Sequence, residues 1–337
     1  TALEALGFTL ADFDPNDMST WEPLFAAYVE ANPGKYPLNV EGEVIDRAYN
    51  HVINVVGTNG PIGVVFDNAN PAGTAASFIS RYENPVYKDF VTTMNGFYNA
   101  GYVDPDQGIP ETAGNSVSTR RDSGDFLVST FAYAPGAENM ISASASAAQG
   151  SDVVIAWAPS WSSPIASSES AIGSGLAVYA GTQYAPEAVT FLNLMASDAV
   201  IGNLMAEGVE GEGYTVTDGV AWRTADRGGW ANWRYGVVGN TSAATPLGDV
   251  EANGNEWVNQ KAFNNSGVGV KSGLFNNVEV IDAYNACQAV IESYAVPFGS
   301  GALDVSNYDA FIAELKAAGV DTVLEAALSQ QADFFAQ

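Results

Sequence analysis

The sequence predicts an α/β fold, and three observations lead to this prediction. The chain has 337 residues, which is enough for a large core and for two lobes. Hydrophobic residues make up 47% of it, a proportion typical of globular proteins. Short apolar runs such as VVIAWA at 153–158 alternate with longer helical patterns such as AVTFLNLMA at 188–196. This alternation is typical of strands and helices that follow one another along the chain.

Three helices are predicted in the N-terminal third. The first covers 19–31, the second is expected near 46–56, and the third covers 84–101, where apolar residues recur with helical spacing. Gly101 is suited to the left-handed conformation that ends a helix. No apolar run reaches the ~18 residues of a membrane-spanning helix, and nothing at the N-terminus resembles a signal peptide.

From about residue 125 the predicted elements alternate. Strands are expected in GDFLVSTFAYAPG at 124–136, VVIAWAP at 153–159 and GLAVYAG at 175–181. The segment 184–208 is predicted to form two helices with a short break between them. Trp, Asn and Gly are frequent between 218 and 273, where only a short helix near 254–263 is expected. Helices are then predicted at 277–294, 306–318 and 320–336.

The charge of the chain excludes several partners. Twelve Lys and Arg residues against 39 Asp and Glu residues give a net charge of −27, and the calculated isoelectric point is about 4.1. Such a protein repels phosphate backbones and anionic lipid headgroups, so nucleic acid is not an expected partner. The same acidity also keeps a secreted protein soluble, which requires no partner at all.

The single cysteine and the single histidine exclude further kinds of site. Cys287 has no partner for an internal disulfide and lies in a predicted helix, where we expect a small buried hydrophobe. Zinc sites built from Cys and His are excluded by number. His51 lies in a helical pattern, and no G-x-S-x-G motif accompanies it, so a Ser-His-Asp triad is not expected.

Three segments resemble the extracellular solute-binding proteins of bacterial ABC importers. They are NPVYKDFVTTMNGFYNAGYVDPD from Asn84, PEAVTFLNLMASDAVIGNLMAEGVEGEGYTV from Pro186, and the closing YDAFIAELKAAGVDTVLEAALSQQADFFAQ from Tyr308. The matching positions of the central segment are Pro186, Ala188, Phe191, Leu192, Asn193, Leu194, Ser197, Asp198, Gly208, Glu210, Gly211 and Tyr214. The resemblance is greatest to family 1, the oligosaccharide-type lipoprotein branch.

This resemblance implies a fold, a division into parts and a location. The implied fold is the two-lobed periplasmic-binding-protein type II fold, with the N-terminal lobe incomplete in this chain. We expect 1–162 to form the first part of the second lobe, 163–240 to return to the first lobe and the cleft, and 241–337 to pack on the second lobe and the hinge. The family also implies an extracellular protein, anchored as a lipoprotein through a Cys that would precede Thr1, or a periplasmic one.

The resemblance also implies capture of a solute without catalysis. The expected ligand is an oligosaccharide, the expected protein partners are the permease subunits of the importer, and the chain is expected to be monomeric and to need no cofactor. Two alternatives stay open. One is a peptide or an amino-acid derivative bound on the same scaffold, and the other is a surface module for glycan adhesion.

Aromatic residues supply the candidate ligand contacts, because the apolar face of a pyranose stacks on Trp or Tyr. The resemblance places Tyr133 beside the hinge, with Glu169 and Ser170 where the chain recrosses between the lobes. The complete candidate set is Tyr133, Trp157, Trp161, Glu169, Ser170, Trp222, Trp230 and Trp233. The Trp residues of the Gly-rich region have an alternative role, which is to pin a long loop to the protein body.

The acidic residues do not predict an enzyme. A glycosidase needs two carboxylates on opposite faces of the scissile bond, but 39 acidic residues make chance pairs inevitable. Glu210, which lies in the motif, is expected to accept backbone N–H bonds, and Arg223 is expected to form an ion pair with a nearby Asp.

Overall fold

A computed structural model of the chain describes residues 2–15, 17–40, 55–57, 60–65, 77–130, 137–155, 164–166, 176–224, 256–270 and 274–336. The helices are α1 (Ala2–Ala5), α2 (Trp21–Ala31), α3 (Pro85–Asn99), α4 (Pro110–Ser123), α5 (Ala137–Gln149), α6 (Ala185–Ser197), α7 (Ala199–Glu207), α8 (Glu256–Asn265), α9 (Ile281–Ser300), α10 (Tyr308–Ala318) and α11 (Val320–Phe335). The strands are β1 (Leu38–Asn39), β2 (Val55–Gly57), β3 (Ile62–Val65), β4 (Ser77–Ser80), β5 (Val128–Ser129), β6 (Ile165–Ala166), β7 (Tyr214–Thr217), β8 (Val220–Arg223) and β9 (Val268–Gly269).

The chain divides into two compact units. Unit 1 comprises Thr1–Tyr133, Ala137–Glu169 and Gly267–Gln337, and unit 2 comprises Ala134–Gly136 and Ser170–Ser266. Unit 1 contains the parallel pairs β1–β5 and β6–β9 and the antiparallel sheet β2-β3-β4. Unit 2 contains the antiparallel pair β7–β8. The mixture of helices and of parallel and antiparallel strands agrees with the predicted α/β class.

The main core of unit 1 is rich in aromatic rings from helices that are distant in sequence. Phe25 of α2, Phe298 of α9 and Phe311 of α10 are almost completely buried in it. Phe298 and Phe311 meet edge to face, with ring centroids 5.6 Å apart. Burying one such side chain stabilises the fold by about 1.5–3 kcal/mol. The C-terminal helices are therefore held to the N-terminal ones by a shared core.

A second core in unit 1 joins the antiparallel sheet to the last helix. Ile62 and Val64 of β3 and Phe78 of β4 pack with Val323 and Ala327 of α11. The two α11 residues are four positions apart and so lie on one face of the helix. This packing fixes the C-terminal helix against the sheet.

Unit 2 is built on a helix pair and a tight hairpin. Asp198 ends α6 and caps α7, accepting hydrogen bonds from the amides of Val200 and Ile201 at 2.9 and 3.0 Å. The hairpin β7–β8 turns at Asp218 and Gly219, whose φ angles of 52° and 76° suit the two-residue turn that Asp-Gly favours. Both features follow directly from the local sequence.

The described helices were also compared with the requirements of a membrane span. No individual helix among them has both the length and the apolar character to cross a bilayer. The pair α6 and α7 meets the requirements together by length and composition, with a bend of 90° between the two helices.

Most predicted helices are confirmed with small shifts of their ends. The helix predicted at 19–31 corresponds to α2, the one at 84–101 to α3, and the segment 184–208 to α6 and α7. The short helix near 254–263 corresponds to α8, and the last three helices to α9, α10 and α11. Gly101 follows α3 with a φ of 78°, as predicted. Cys287 is buried in α9.

Several predicted elements are wrong. The helix expected near 46–56 lies largely outside the described residues, but its last two residues, Val55 and Val56, belong to strand β2. Val153–Ile155 does not form the expected strand, because the amides of Val153 and Ile155 bond to serine hydroxyls of α5 instead. Residues 176–179 are not in a strand either.

Three helical features were not predicted. Helix α9 continues through Pro297 to Ser300 rather than ending at residue 294. Helices α4 and α5 were not recognised: α4 is rich in polar residues and has no apolar stripe, and α5 consists largely of Ser and Ala. His51 lies outside the described residues.

Candidate functional site

The candidate site is the carboxyl end of the parallel pair β1–β5 in unit 1. Asn39 and Ser129 are the last residues of these strands and lie directly opposite each other in the ladder. The carboxyl ends of parallel strands meet at one edge, which is where ligands bind in α/β folds. The edge carries polar side chains, although residues in the same strands pack into the main core. Its chemistry therefore depends on how these polar groups are paired.

Gln107 and Asn39 form a fully buried relay beneath this edge. The Gln107 Oε1 atom accepts a hydrogen bond from the Val40 amide at 3.0 Å, and its Nε2 atom donates to Asn39 Oδ1 at 2.6 Å. Asn39 Nδ2 then donates to the carbonyl oxygen of Val117 and to Ser129 Oγ, both at 3.2 Å. Both amide side chains have no exposed surface. Buried amides paired in this way avoid the cost of unsatisfied polar groups.

Ser129 and Thr130 are the hydroxyl residues at the end of β5. Ser129 is half-buried, and its Oγ atom accepts the bond from Asn39. The amide of Thr130 donates to the Asn39 carbonyl at 3.3 Å, which continues the pairing beyond the assigned strands. The Thr130 Oγ1 atom is buried and has no hydrogen-bond partner among the described residues. Because side chains alternate along a strand, the two hydroxyls point to opposite faces.

Arg120 of α4 contacts residues that precede the two strands. Its guanidinium donates to the Tyr36 carbonyl just before β1 and lies over the Tyr36 ring, 5.5 Å from the centroid. It also lies within 4.0 Å of Asp125, just before β5, and within 3.8 Å of Asp104. Arg120 is buried, so these pairs are screened less by water than surface pairs are. The cation is thus engaged by structural partners below the edge.

A second polar feature lies in unit 2, where Arg223 of β8 binds Glu207 of α7. The Nε and Nη2 atoms of Arg223 donate to the two carboxylate oxygens at 2.8 and 3.2 Å. Glu207 is fully buried, and a bidentate contact of this kind is the strongest form of an arginine–carboxylate ion pair. Arg223 was expected to bind an Asp, and its partner is a Glu. Glu210, the expected acceptor of backbone bonds, is instead exposed.

The structure places one of the predicted contact residues. Trp222 lies on strand β8, half-buried and opposite Thr215 in the hairpin, rather than in irregular chain as its Gly-rich surroundings indicated. The other seven lie outside the described residues, and they are Tyr133, Trp157, Trp161, Glu169, Ser170, Trp230 and Trp233. Their roles stay predictions. Among the described residues, no group of three or more His, Cys, Asp or Glu side chains is arranged to hold a metal ion.

Sequence reasoning missed Asn39, Gln107 and Ser129. The strand prediction at 124–136 includes Ser129, and Gln107 lies in the short 3-10 turn Pro105–Gly108, which Asp104 caps. However, 68 residues separate Gln107 from Asn39 and 90 separate Asn39 from Ser129. Only the parallel pairing of β1 with β5 brings the three together, and no local pattern signals it.

Comparisons with known proteins place the fold. Residues 274–336, which contain α9 to α11, match a family described as a domain of unknown function, DUF3502. A comparison with curated proteins gives no match. Among solved structures, the chain is similar to the N-glycan transport solute binding protein NgtS from Streptococcus pneumoniae. The TM-score is 0.69 at 18% sequence identity, and the match covers 98% of this chain and 70% of that one.

Two further solved structures are similar over the same extent. The alginate-binding protein AlgQ2 gives a TM-score of 0.59 at 14% identity, covering 98% of this chain and 70% of that chain. An HMO-binding, ABC-transporter-associated solute binding protein from Bifidobacterium longum infantis gives 0.55 at 15% identity, covering 98% and 71%. These similarities confirm the predicted fold class, and the chain spans about 70% of the length of the proteins it matches.

Proposed function

We propose that this chain, which has the fold of the solute-binding proteins of ABC transporters, captures an oligosaccharide reversibly and delivers it to an importer. The observation that carries the proposal is the fold, since the similar structures are named for N-glycan transport, alginate binding and HMO binding. A further similar structure is NgtS in complex with Man5GlcNAc. At 14–18% identity the likeness establishes the fold, and the ligand of this chain is our inference from it.

The proposed mechanism is binding without chemistry. Two lobes close on the ligand by a hinge motion, and the closed form docks on the permease subunits. In this proposal the lobes follow the predicted division at 1–162, 163–240 and 241–337. Aromatic side chains stack on sugar rings, for which we retain Trp222 and the predicted Tyr133, Trp157, Trp161, Trp230 and Trp233. Glu169 and Ser170 are retained as polar contacts, and apart from Trp222 all of these residues lie outside the described part of the chain. The carboxyl edge of β1–β5 supplies hydrogen bonds to the sugar oxygens.

We further propose that the protein acts on the outer face of the cell as a monomer, either anchored by a lipid or in the periplasm. The net charge of −27 agrees with a neutral ligand, because it repels polyanions. A peptide ligand and a surface role in glycan adhesion are the competing functions. A peptide site would favour charged groups for the termini, and Arg120 of α4, which contacts the residues before both strands, is engaged by Asp104, Asp125 and Tyr36.

A thermal-shift screen of the full-length gene product tests the proposal. The panel contains mannose–N-acetylglucosamine oligosaccharides, alginate oligosaccharides and short peptides. A ligand present at about 100 times its Kd adds roughly 2.7 kcal/mol to the free energy of unfolding, which raises Tm measurably. We expect stabilisation by oligosaccharides. Stabilisation by peptides alone would refute the carbohydrate assignment, and no response to either class would favour the adhesion function.

A further inference from the structure

We infer that the Ser129 hydroxyl is a hydrogen-bond donor of fixed direction that binds a neutral oxygen of the ligand, and that Gln107 and Asn39 are its positioning residues. This inference rests on the proposed function and narrows its substrate class to neutral saccharides. It follows from the order of donors and acceptors in the relay beneath the β1–β5 edge.

The relay begins at a group that can only donate. The backbone amide of Val40 is a donor, so the Gln107 atom that it contacts at 3.0 Å must be the carbonyl oxygen Oε1. The other end of the Gln107 side chain is then Nε2, which must donate to Asn39 Oδ1 at 2.6 Å. The orientation of the Gln107 amide is thus set by the backbone.

The relay also contacts a group that can only accept. The carbonyl oxygen of Val117 is an acceptor, so the Asn39 atom beside it must be Nδ2, which agrees with the direction set at Gln107. The second hydrogen of this Nδ2 atom goes to Ser129 Oγ. Two independent backbone groups therefore require the Ser129 oxygen to act as an acceptor towards Asn39.

A serine hydroxyl that accepts from the protein still has its own hydrogen to donate. No acceptor for that hydrogen exists among the described residues, and Ser129 is half-buried at the carboxyl end of β5. Both amide hydrogens of Asn39 Nδ2 are already used, and Gln107 is fully buried. Ser129 is consequently the donor that the relay offers to a ligand. That its oxygen accepts from Asn39 and its hydrogen is left for the ligand is fixed before binding.

The chemistry of this donor favours a neutral acceptor. Asn39, Gln107 and Ser129 carry no charge, and Arg120 is engaged with Asp104 and Asp125. A ring, glycosidic or hydroxyl oxygen of a neutral sugar matches a single neutral donor, whereas a uronate carboxylate is normally bound by a cation. The net charge of −27 also favours a neutral ligand, because it repels anionic ones.

Calorimetric titration with Man5GlcNAc and with an alginate oligosaccharide tests the inference. The full-length protein is compared with Ser129→Ala and with the matched control Ser118→Ala, whose serine is exposed on α4 in the same unit. One neutral hydrogen bond contributes about 0.5–1.5 kcal/mol, so Ser129→Ala should weaken Man5GlcNAc binding roughly 2- to 12-fold. Ser118→Ala should bind as the wild type does. If Ser129→Ala folds poorly, Ser129→Thr is the second variant to compare, because it restores a hydroxyl and should recover the affinity for Man5GlcNAc.

A double-mutant cycle tests the positioning role. Gln107→Glu presents a carboxylate oxygen, which cannot donate to Asn39 Oδ1 and repels it. The Asn39 amide is then no longer held in place, and its bond to Ser129 Oγ weakens. As a single substitution, Gln107→Glu should therefore weaken Man5GlcNAc binding. In the double variant with Ser129→Ala it should cause little further loss of affinity, whereas a merely structural effect would add its full loss to that of Ser129→Ala. Additive losses would overturn the positioning role.

The outcomes separate this inference from the proposed function. If the wild type binds Man5GlcNAc and Ser129→Ala binds it equally, the inference fails while sugar capture stands. Tighter binding of the alginate oligosaccharide than of Man5GlcNAc would overturn the neutral class. If neither sugar binds to the wild type, the proposed function itself fails, and the donor role fails with it.

Discussion

Replacing Gln107 by Met tests whether the buried relay is as important for stability as its geometry indicates. Met has a similar length but no polar end, so the substitution removes the bonds to the Val40 amide at 3.0 Å and to Asn39 Oδ1 at 2.6 Å. Both groups stay buried without a partner. Each unsatisfied group costs about 1–3 kcal/mol, which together gives about 2–6 kcal/mol. Most folded domains have only about 5–15 kcal/mol of stability, so the loss should be large.

Equilibrium urea unfolding, followed by tryptophan fluorescence, measures this loss. Trp21 is one of seven Trp residues and lies in the main core of the same unit, so it contributes to the change in emission when unit 1 unfolds. Gln183→Met is the matched control, because Gln183 is exposed in the turn before α6. We expect the control to change the free energy of unfolding by less than about 0.5 kcal/mol.

The variant Gln107→Glu adds a test of direction. An ionised glutamate at this position would face Asn39 Oδ1 with a second acceptor, whereas a protonated one can donate to it. Burial raises the pKa of a carboxyl group, so the stability of this variant relative to the wild type should increase as the pH falls towards about 4.3, the ordinary pKa of Glu. A Gln107→Met variant within about 1 kcal/mol of the wild type, or a Gln107→Glu variant that does not recover in acid, would refute the reasoning.

Three further predictions concern other parts of the structure. Gly301→Ala should destabilise the chain by about 1–3 kcal/mol more than Gly34→Ala in urea unfolding. Both glycines have φ above 80°, but a Cβ at 301 would lie 2.0 Å from the Met94 carbonyl oxygen, whereas a Cβ at 34 meets nothing within 4 Å. Equal losses of stability would contradict the close approach of α9 to α3. Asp198→Ala should lower the free energy of unfolding by about 1 kcal/mol and speed hydrogen exchange at the amides of Val200 and Ile201, whereas Asp198→Asn should retain the cap. Unchanged exchange in Asp198→Ala would contradict the capping role of Asp198. Burial acts to raise the pKa of Glu83, but the hydrogen bond and charge of Lys316, 2.7 Å away, act with Ser80 to outweigh it and hold the pKa below its usual value. A carboxylate with a lowered pKa stabilises the fold above its unfolded pKa and loses that effect as the pH falls, so Lys316→Met should be less stable than the wild type at pH 7 and converge with it in acid; a constant difference down to pH 2 would contradict the pairing.

Local sequence signals account for the helices that were predicted correctly. Helix α3 has a regular apolar stripe, a proline at its start and a glycine after its end, so its limits could be predicted within two residues. The Asp-Gly pair at Asp218 and Gly219 is an equally local signal for the hairpin β7–β8, although this hairpin was not predicted.

Tertiary contacts account for the elements that were not predicted. The segment Val153–Ile155 has strand composition, but its amides bond to Ser146 and Ser142 of α5, and neither partner is visible from the segment itself. The candidate site is a stronger case. Asn39, Gln107 and Ser129 are common polar residues in ordinary positions, and their importance arises only when parallel pairing joins strands 90 residues apart.

The most direct test of the account is equilibrium dialysis of the full-length protein against Man5GlcNAc, followed by release of the bound sugar and its mass analysis. Reversible capture predicts saturation at one oligosaccharide per chain and recovery of the sugar intact. Recovery of shortened sugars would contradict binding without chemistry. Absence of bound Man5GlcNAc, together with absence of any other oligosaccharide of the thermal-shift panel, would contradict carbohydrate capture itself.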